Sequence, residues 1–138
     1  MEQSKVFQII VKNGFYIGDI TYVLPNRVLE EWALHDFKRG VYVDPITQAH
    51  FAMVDTADGN GSFYGSDGTD YVVEGSNIGI CDLDLVSRPQ EGLGRIVEDF
   101  GGAVTIEYFN GKIIIDWVNE NIVIDTTPFN DTADLFGD

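Results

Sequence analysis

The stretch Val104-Thr105-Ile106-Glu107-Tyr108-Phe109-Asn110-Gly111-Lys112-Ile113-Ile114-Ile115-Asp116-Trp117 decides the fold class of this 138-residue chain. Asn-Gly tolerates the positive backbone angles of a two-residue type I′ turn, and the flanking runs are β-branched and aromatic. Pairing outward from that turn puts Val104, Ile106 and Tyr108 on one face with Ile113, Ile115 and Trp117. These six residues are the predicted core. Asn119-Glu120-Asn121 then turns the chain into Ile122 to Ile124, whose unbroken apolar run predicts a strand buried on both faces.

A second Asn-Gly, at Asn13-Gly14, lies between Val6 to Lys12 and Phe15 to Tyr22. The same pairing rule predicts a hairpin with Phe7, Ile9 and Val11 on one face with Tyr16, Gly18 and Ile20. Pro25-Asn26 stops that strand. Asn26 as N-cap, Glu30 and Glu31 near the helix start, Lys38 and Arg39 near its end and Gly40 beyond it predict a helix over 26–39. Its apolar stripe is Val28, Leu29, Trp32, Ala33 and Phe37, and a Trp on such a stripe reads as core.

Between 41 and 86 the turn signals Asp44-Pro45, Asp58-Gly59-Asn60-Gly61, Asp67-Gly68 and Gly75-Ser76-Asn77 separate short strand-like runs. Strict alternation in Cys81-Asp82-Leu83-Asp84-Leu85 predicts a half-buried strand with Asp82 and Asp84 outward and the single Cys inward. Residues 87–102 read as a long connection around a short element at Arg95 to Glu98. The organisation is one β-rich domain over 1–128, followed by a short acidic tail at 129–138 that should fray. Its class is mainly β (α+β): an antiparallel sandwich or partly open barrel with one amphipathic helix at about 26–39.

Charge is the other strong signal. The formal net charge is -15, and residues 1–40 are balanced, with five acidic and five basic side chains; the other eighteen carboxylates face only Arg88, Arg95 and Lys112. With 44 % hydrophobic and 12 % aromatic residues the chain has the apolar surface to fold, unlike disordered acidic sequences. An acidic lobe beside a neutral one favours a basic partner and opposes nucleic acid or anionic lipid. The lone Cys81 and a start without a basic segment and apolar run point to the cytoplasm.

Chemistry has no comparable signature. There is neither a phosphate-binding Gly-rich loop nor zinc-ligand spacing around His35, His50 and Cys81. Asp58-Gly59-Asn60-Gly61-Ser62 opens like a calcium loop, but position six is Phe63 and position twelve is Thr69, where Gly and Glu are needed. No cofactor is expected. Carboxylates two apart on a strand recur about every 6 to 7 Å, close to the spacing of phosphates along a nucleic-acid strand. The predicted interaction surface is therefore Asp82 and Asp84, extended by Asp55, Asp58, Asp67, Asp70 and Glu74 in neighbouring hairpins. The expectation is a non-enzymatic binding protein. Its alternatives are a divalent-metal-dependent small enzyme or metal-binding protein built on the Asp-rich hairpins at 55–70, and a structural or assembly protein.

Gly18-Asp19-Ile20-Thr21-Tyr22-Val23-Leu24, Gly59-Asn60-Gly61-Ser62-Phe63-Tyr64 and Glu91-Gly92-Leu93-Gly94-Arg95 together resemble uncharacterised small acidic bacterial and phage proteins. These share a Gly-Asp-x-x-Tyr-Val strand, a helix and a Gly-rich hairpin. The resemblance implies no activity and carries no site residues over. It implies a context in which small acidic phage proteins act as anti-defence inhibitors, such as anti-CRISPR or anti-restriction proteins that occupy a basic nucleic-acid channel in the host cytosol.

Overall fold

The computed structural model describes residues 5–36, 39–57, 59–74, 77–87, 94–118 and 120–127. Its strands in chain order are β1 (Lys5–Val11), β2 (Gly14–Gly18), β3 (Gly40–Val43), β4 (His50–Asp55), β5 (Gly61–Tyr64), β6 (Asp70–Val73), β7 (Asn77–Asp82), β8 (Arg95–Glu98), β9 (Gly102–Phe109), β10 (Lys112–Trp117) and β11 (Glu120–Asp125). One α-helix, α1 (Asn26–Ala33), lies between β2 and β3. All strand pairings are antiparallel, in a four-stranded sheet β1-β9-β10-β11, a five-stranded sheet β3-β4-β7-β2-β8 and the hairpin β5-β6. The tail expected at 129–138 lies outside the described residues.

The Asn110-Gly111 hairpin forms in the expected register, with Ile113 opposite Tyr108 and Ile115 opposite Ile106. Both turn residues have positive φ, 52° and 85°, as a type I′ turn requires. Five of the six predicted core residues are buried and Tyr108 packs against them half-buried. The run Ile122 to Ile124 departs from expectation: β11 is a sheet edge, so Ile122 and Ile124 are buried while Val123 is half-buried on the outer face.

Asn13-Gly14 does not make a hairpin. β1 pairs with β9 in one sheet, and β2 pairs with β7 and β8 in the other, so the chain changes sheets between Val11 and Gly14. Opposite this corner β8 and β9 change sheets in the same way, with Val11 facing Gly102 and Gly14 facing Glu98. The Gly14 N–H donates to the Phe100 carbonyl at 2.6 Å and locks the two crossings together. Bent strands of this kind form the corners of sandwiches whose sheets exchange strands. The corner shifts the side-chain parity, so Phe15 and Ile17, rather than Tyr16, share the inter-sheet core with Ile9 and Val11. β2 also ends at Gly18, and Ile20–Tyr22 form a 3-10 turn instead of continuing the strand.

Residues of alternating parity on the five-stranded sheet then face two different cores. Ala52, Val54, Ile78 and Ile80 join Phe15 and Ile17 between the sheets. Tyr16, Phe51, Met53 and Cys81 face the other way, against Ile20, Val23, Leu24, Val28, Trp32 and Leu85. The result is three layers, with α1 and the 3-10 turns covering the outer face of one sheet. α1 is shorter than expected: Pro25 occupies the N-cap without a side-chain bond, and the helix ends at Ala33 before Asp36 enters the left-handed region at φ 58°. Val28 and Trp32 are buried and Leu29 packs with them, but Ala33 is exposed, and Phe37 and Lys38 lie outside the described residues.

The corner makes a stability prediction. A Cβ on Gly14 would lie 2.6 Å from the Val97 carbonyl oxygen and from Leu83 Cδ1, at φ +106°. Gly14→Ala should lower the unfolding free energy by about 3 kcal/mol. Exposed Asn13→Ala should cost under about 1 kcal/mol, both measured by urea denaturation. Equal losses at the two positions would restore the hairpin-turn reading.

Candidate functional site

The seven predicted surface carboxylates do not make one patch. Asp55 closes β4 opposite Asn77 at the start of β7, whereas Asp82 is the last residue of β7, roughly 16 Å further along. Asp55 is held by Arg39, whose Nε donates to it at 2.9 Å. Asp58 lies outside the described residues. Asp67 accepts from the Thr69 amide at 3.1 Å, the Tyr71 hydroxyl at 2.9 Å and Arg95 at 3.0 Å, with its side chain 12 % exposed. Burial opposes the charge on Asp67, but these donors outweigh it and hold the carboxyl below its ordinary range.

Asp82 overturns the outward alternation expected at 81–85. The strand stops at Asp82 and Leu83–Leu85 form a 3-10 turn. The Asp82 side chain is turned inward beside its pairing partner Phe15, 1 % exposed, and accepts from the Asp84 amide at 2.9 Å and the Lys12 amide at 3.4 Å. It stitches the sheet-switching corner, so it presents no phosphate-like charge to a partner. Asp84 itself is exposed.

What the fold does bring together is the outer face of the β5-β6 hairpin. Asp70 and Glu74, both exposed and four residues apart, share a face with exposed Tyr64 and with Ser62, whose hydroxyl donates to Asp70. Glu74 is set by Asp19, the acidic residue of the Gly-Asp-x-x-Tyr-Val motif, which lies outside the predicted interaction surface. Asp19, fully buried, accepts the Glu74 amide at 2.8 Å and the Thr21 amide at 3.1 Å. The Tyr22 hydroxyl donates to Glu74, and that bond is the main reason the phenol is pushed up to about 12.

One signal could have sorted these carboxylates. Asp19, Asp44, Asp67, Asp82 and Asp125 each accept a backbone N–H from the residue two positions on. Asp-x-Thr occurs at three of the five, at Asp19, Asp67 and Asp125, where the Thr hydroxyl donates as well. That is the local chemistry of an Asx turn. Among the described residues no group of three or more His, Cys, Asp or Glu is placed to hold a metal ion. Cys81 is completely buried, and that burial, reinforced by Asp82, pushes its thiol up and away from a reactive thiolate.

A cleft of about 360 Å³ opens between α1 and β3. Its apolar wall is built by Val28, Trp32, Tyr42 and Phe51, in which Tyr42 stacks on Phe51 at 5.1 Å and Trp32 meets Phe51 edge-on at 5.5 Å. Arg27 and Glu31 on α1 and His35 in the turn beyond it follow one another at four-residue spacing along one rim, and Val43, Asp44, Pro45 and Ile46 form the opposite rim. Arg27 crosses between the rims, donating to both Asp44 oxygens at 2.6 and 2.9 Å. The Arg27 guanidinium, aided by Thr47 and the Ile46 amide, holds the buried Asp44 carboxyl well below the usual carboxylate range despite desolvation. Sequence reading placed Trp32 in the core, where it is, 1 % exposed, but nothing at residues 41–51 announced the cleft.

No family model, curated protein or solved structure matches the chain.

The Asp44 site predicts a pH effect. Its lowered folded-state pKa makes its contribution complete above the unfolded value near 4 and lost as pH falls through the folded value. Asp44→Asn should cost about 2 kcal/mol at pH 7. The gap from wild type should narrow as pH drops below about 4, followed by chemical denaturation across that range. A pH-independent gap would mean that the carboxylate charge is not its source.

Proposed function

We propose that this is a non-enzymatic binding protein that uses an acidic surface to engage a basic partner, in the manner of a phage-type anti-defence inhibitor that occupies the nucleic-acid site of a bacterial enzyme. The observation that carries this reading is how the described charges are used. Arg27, Arg39 and Arg95 are each held by an aspartate of the same chain. The exposed carboxylates include Glu30, Glu31, Asp36, Asp70, Glu74, Asp84, Glu98, Asp99, Asp116, Glu120 and Asp125, against exposed Lys5, Lys12 and Lys112. Such a field steers a cationic partner and accelerates its encounter.

Two features of the surface differ from the sequence expectation. The described N-terminal residues form no separate lobe, because β1 pairs with β9 in one sheet and β2 with β7 and β8 in the other. The contact surface is centred on Asp70 and Glu74, and Asp82 drops out of it. No helix among the described residues is long and apolar enough to cross a membrane.

A pull-down from bacterial lysate at low salt, eluted with a salt gradient, tests the reading. A basic nucleic-acid enzyme should be retained and displaced by its own nucleic acid. Its affinity should fall by about tenfold or more between roughly 50 and 500 mM salt, and by a similar factor with Asp70→Lys and Glu74→Lys combined. Binding indifferent to salt and to both substitutions would sink the proposal.

An assembly role has one observation in its favour. Val6, Ile10 and Phe109 are 56 %, 51 % and 40 % exposed on the outer face of the four-stranded sheet. Light scattering separates the readings, since an apolar oligomer should persist at high salt.

A further inference from the structure

We propose that the cleft between α1 and β3 receives an arginine side chain of the basic partner; the inference rests on the binding role above and gives it an anchor. Asp44, although it lines the cleft, is consumed by Arg27, by the Thr47 hydroxyl at 2.6 Å and by the Thr47 amide at 3.1 Å. Glu31 is therefore the carboxylate of the lining that faces an incoming group, exposed on the helical rim between Arg27 and His35. Below it lies the half-buried ring of Tyr42, backed by Phe51 and Trp32, which are 2 % and 1 % exposed. On the far rim, beside the Arg27–Asp44 pair, Val43 is 49 % and Ile46 72 % exposed.

A guanidinium matches each of these surfaces at once. It is planar, weakly hydrated on its faces and attracted to aromatic rings, its fork suits a carboxylate such as Glu31, and its aliphatic stem can lie along Val43 and Ile46. A purely apolar group would shield Glu31 from water without pairing it. An anion would meet an Arg27 already engaged with Asp44 on a chain of net charge -15. A buried, desolvated arginine in an aromatic pocket is also the kind of residue that dominates interface energetics. The cleft's 360 Å³ is at the small end of the roughly 300–1,000 Å³ range of ligand sites, in keeping with one side chain rather than a large cofactor.

The test needs no knowledge of the partner. The Trp32 indole N–H resonance is followed by NMR while the protein is titrated to roughly 50 mM with N-acetyl-arginine amide, N-acetyl-citrulline amide or N-acetyl-leucine amide. Saturable shifts with the arginine probe are expected, at least about tenfold tighter than with uncharged citrulline, and Glu31→Gln should erase that difference. No saturable shift, equal binding of arginine and citrulline, or preference for leucine would each overturn the proposal. Asp70→Lys with Glu74→Lys, which tests the acidic surface, should leave this titration unchanged, so the two ideas fail separately.

Discussion

Everything in this fold hangs on the corner at which two antiparallel strand segments leave one sheet and enter the other side by side. β1 continues into β2 as β8 continues into β9, and the short Gly14 to Phe100 hydrogen bond joins the crossings. Glycine is needed at Gly14 because the backbone turns through positive φ with the Val97 carbonyl directly alongside. Asp82 completes the corner from the third side by accepting the Lys12 amide. A single change of sheet thereby places Ile9 and Val11 in the same core as Phe15 and Ile17 while turning Tyr16 towards a second core. That second core is the seat on which α1 rests, so the cleft beside the helix exists only because the corner gives the five-stranded sheet two apolar faces.

Legibility from sequence followed the range of the interactions. The Asn110-Gly111 hairpin could be read because both strands lie next to their turn, and alternation selects the register. The identical dipeptide at Asn13-Gly14 could not, since β1 finds its partner in β9 and β2 finds its partners in β7 and β8, all distant in the chain. Phe15, Tyr16 and Ile17 are all buried, on opposite faces, and an unbroken apolar run carries no phase from which the parity change could be seen. α1 was recognisable from its apolar stripe, but its end was not, because the left-handed Asp36 interrupts a pattern whose composition would have allowed another turn.

The site was less legible than the fold because an aspartate has two uses that look alike in a sequence. At Asp70 and Asp84 the carboxylate stands in solvent, while at Asp19, Asp44 and Asp82 it is buried and satisfied by backbone amides. Strict alternation through Cys81-Asp82-Leu83-Asp84-Leu85 suggested two outward charges. The Asp82 carboxylate instead captures the Asp84 amide and bends the chain into a 3-10 turn, a local bond competing successfully with the strand ladder. The cleft escaped notice for a different reason. Its walls come from residues 27–35, on α1 and the turn after it, and from residues 42–51, on β3, β4 and the connection between them, each of which reads as ordinary core or loop when taken alone.

Buried aspartates also explain how a chain with so many carboxylates can be compact. Asp44, Asp55 and Asp67, paired with Arg27, Arg39 and Arg95, are compensated within the chain and add little to the repulsion at the surface, while buried Asp19 and Asp82 are satisfied by backbone amides. The uncompensated charge is left to exposed positions on and after α1, around the β5-β6 hairpin, at the end of β8 and along the β10-β11 margin, among them Glu30, Glu31, Asp70, Glu98, Asp99, Asp116 and Glu120. Acidic side chains distributed in this way set a long-range field without specifying a contact, and a field alone gives encounter rate rather than selectivity. Selectivity needs a place where shape, desolvation and charge coincide. In this molecule the cleft between α1 and β3 is where an aromatic wall, exposed Val43 and Ile46 and the Glu31 carboxylate on the helix come together.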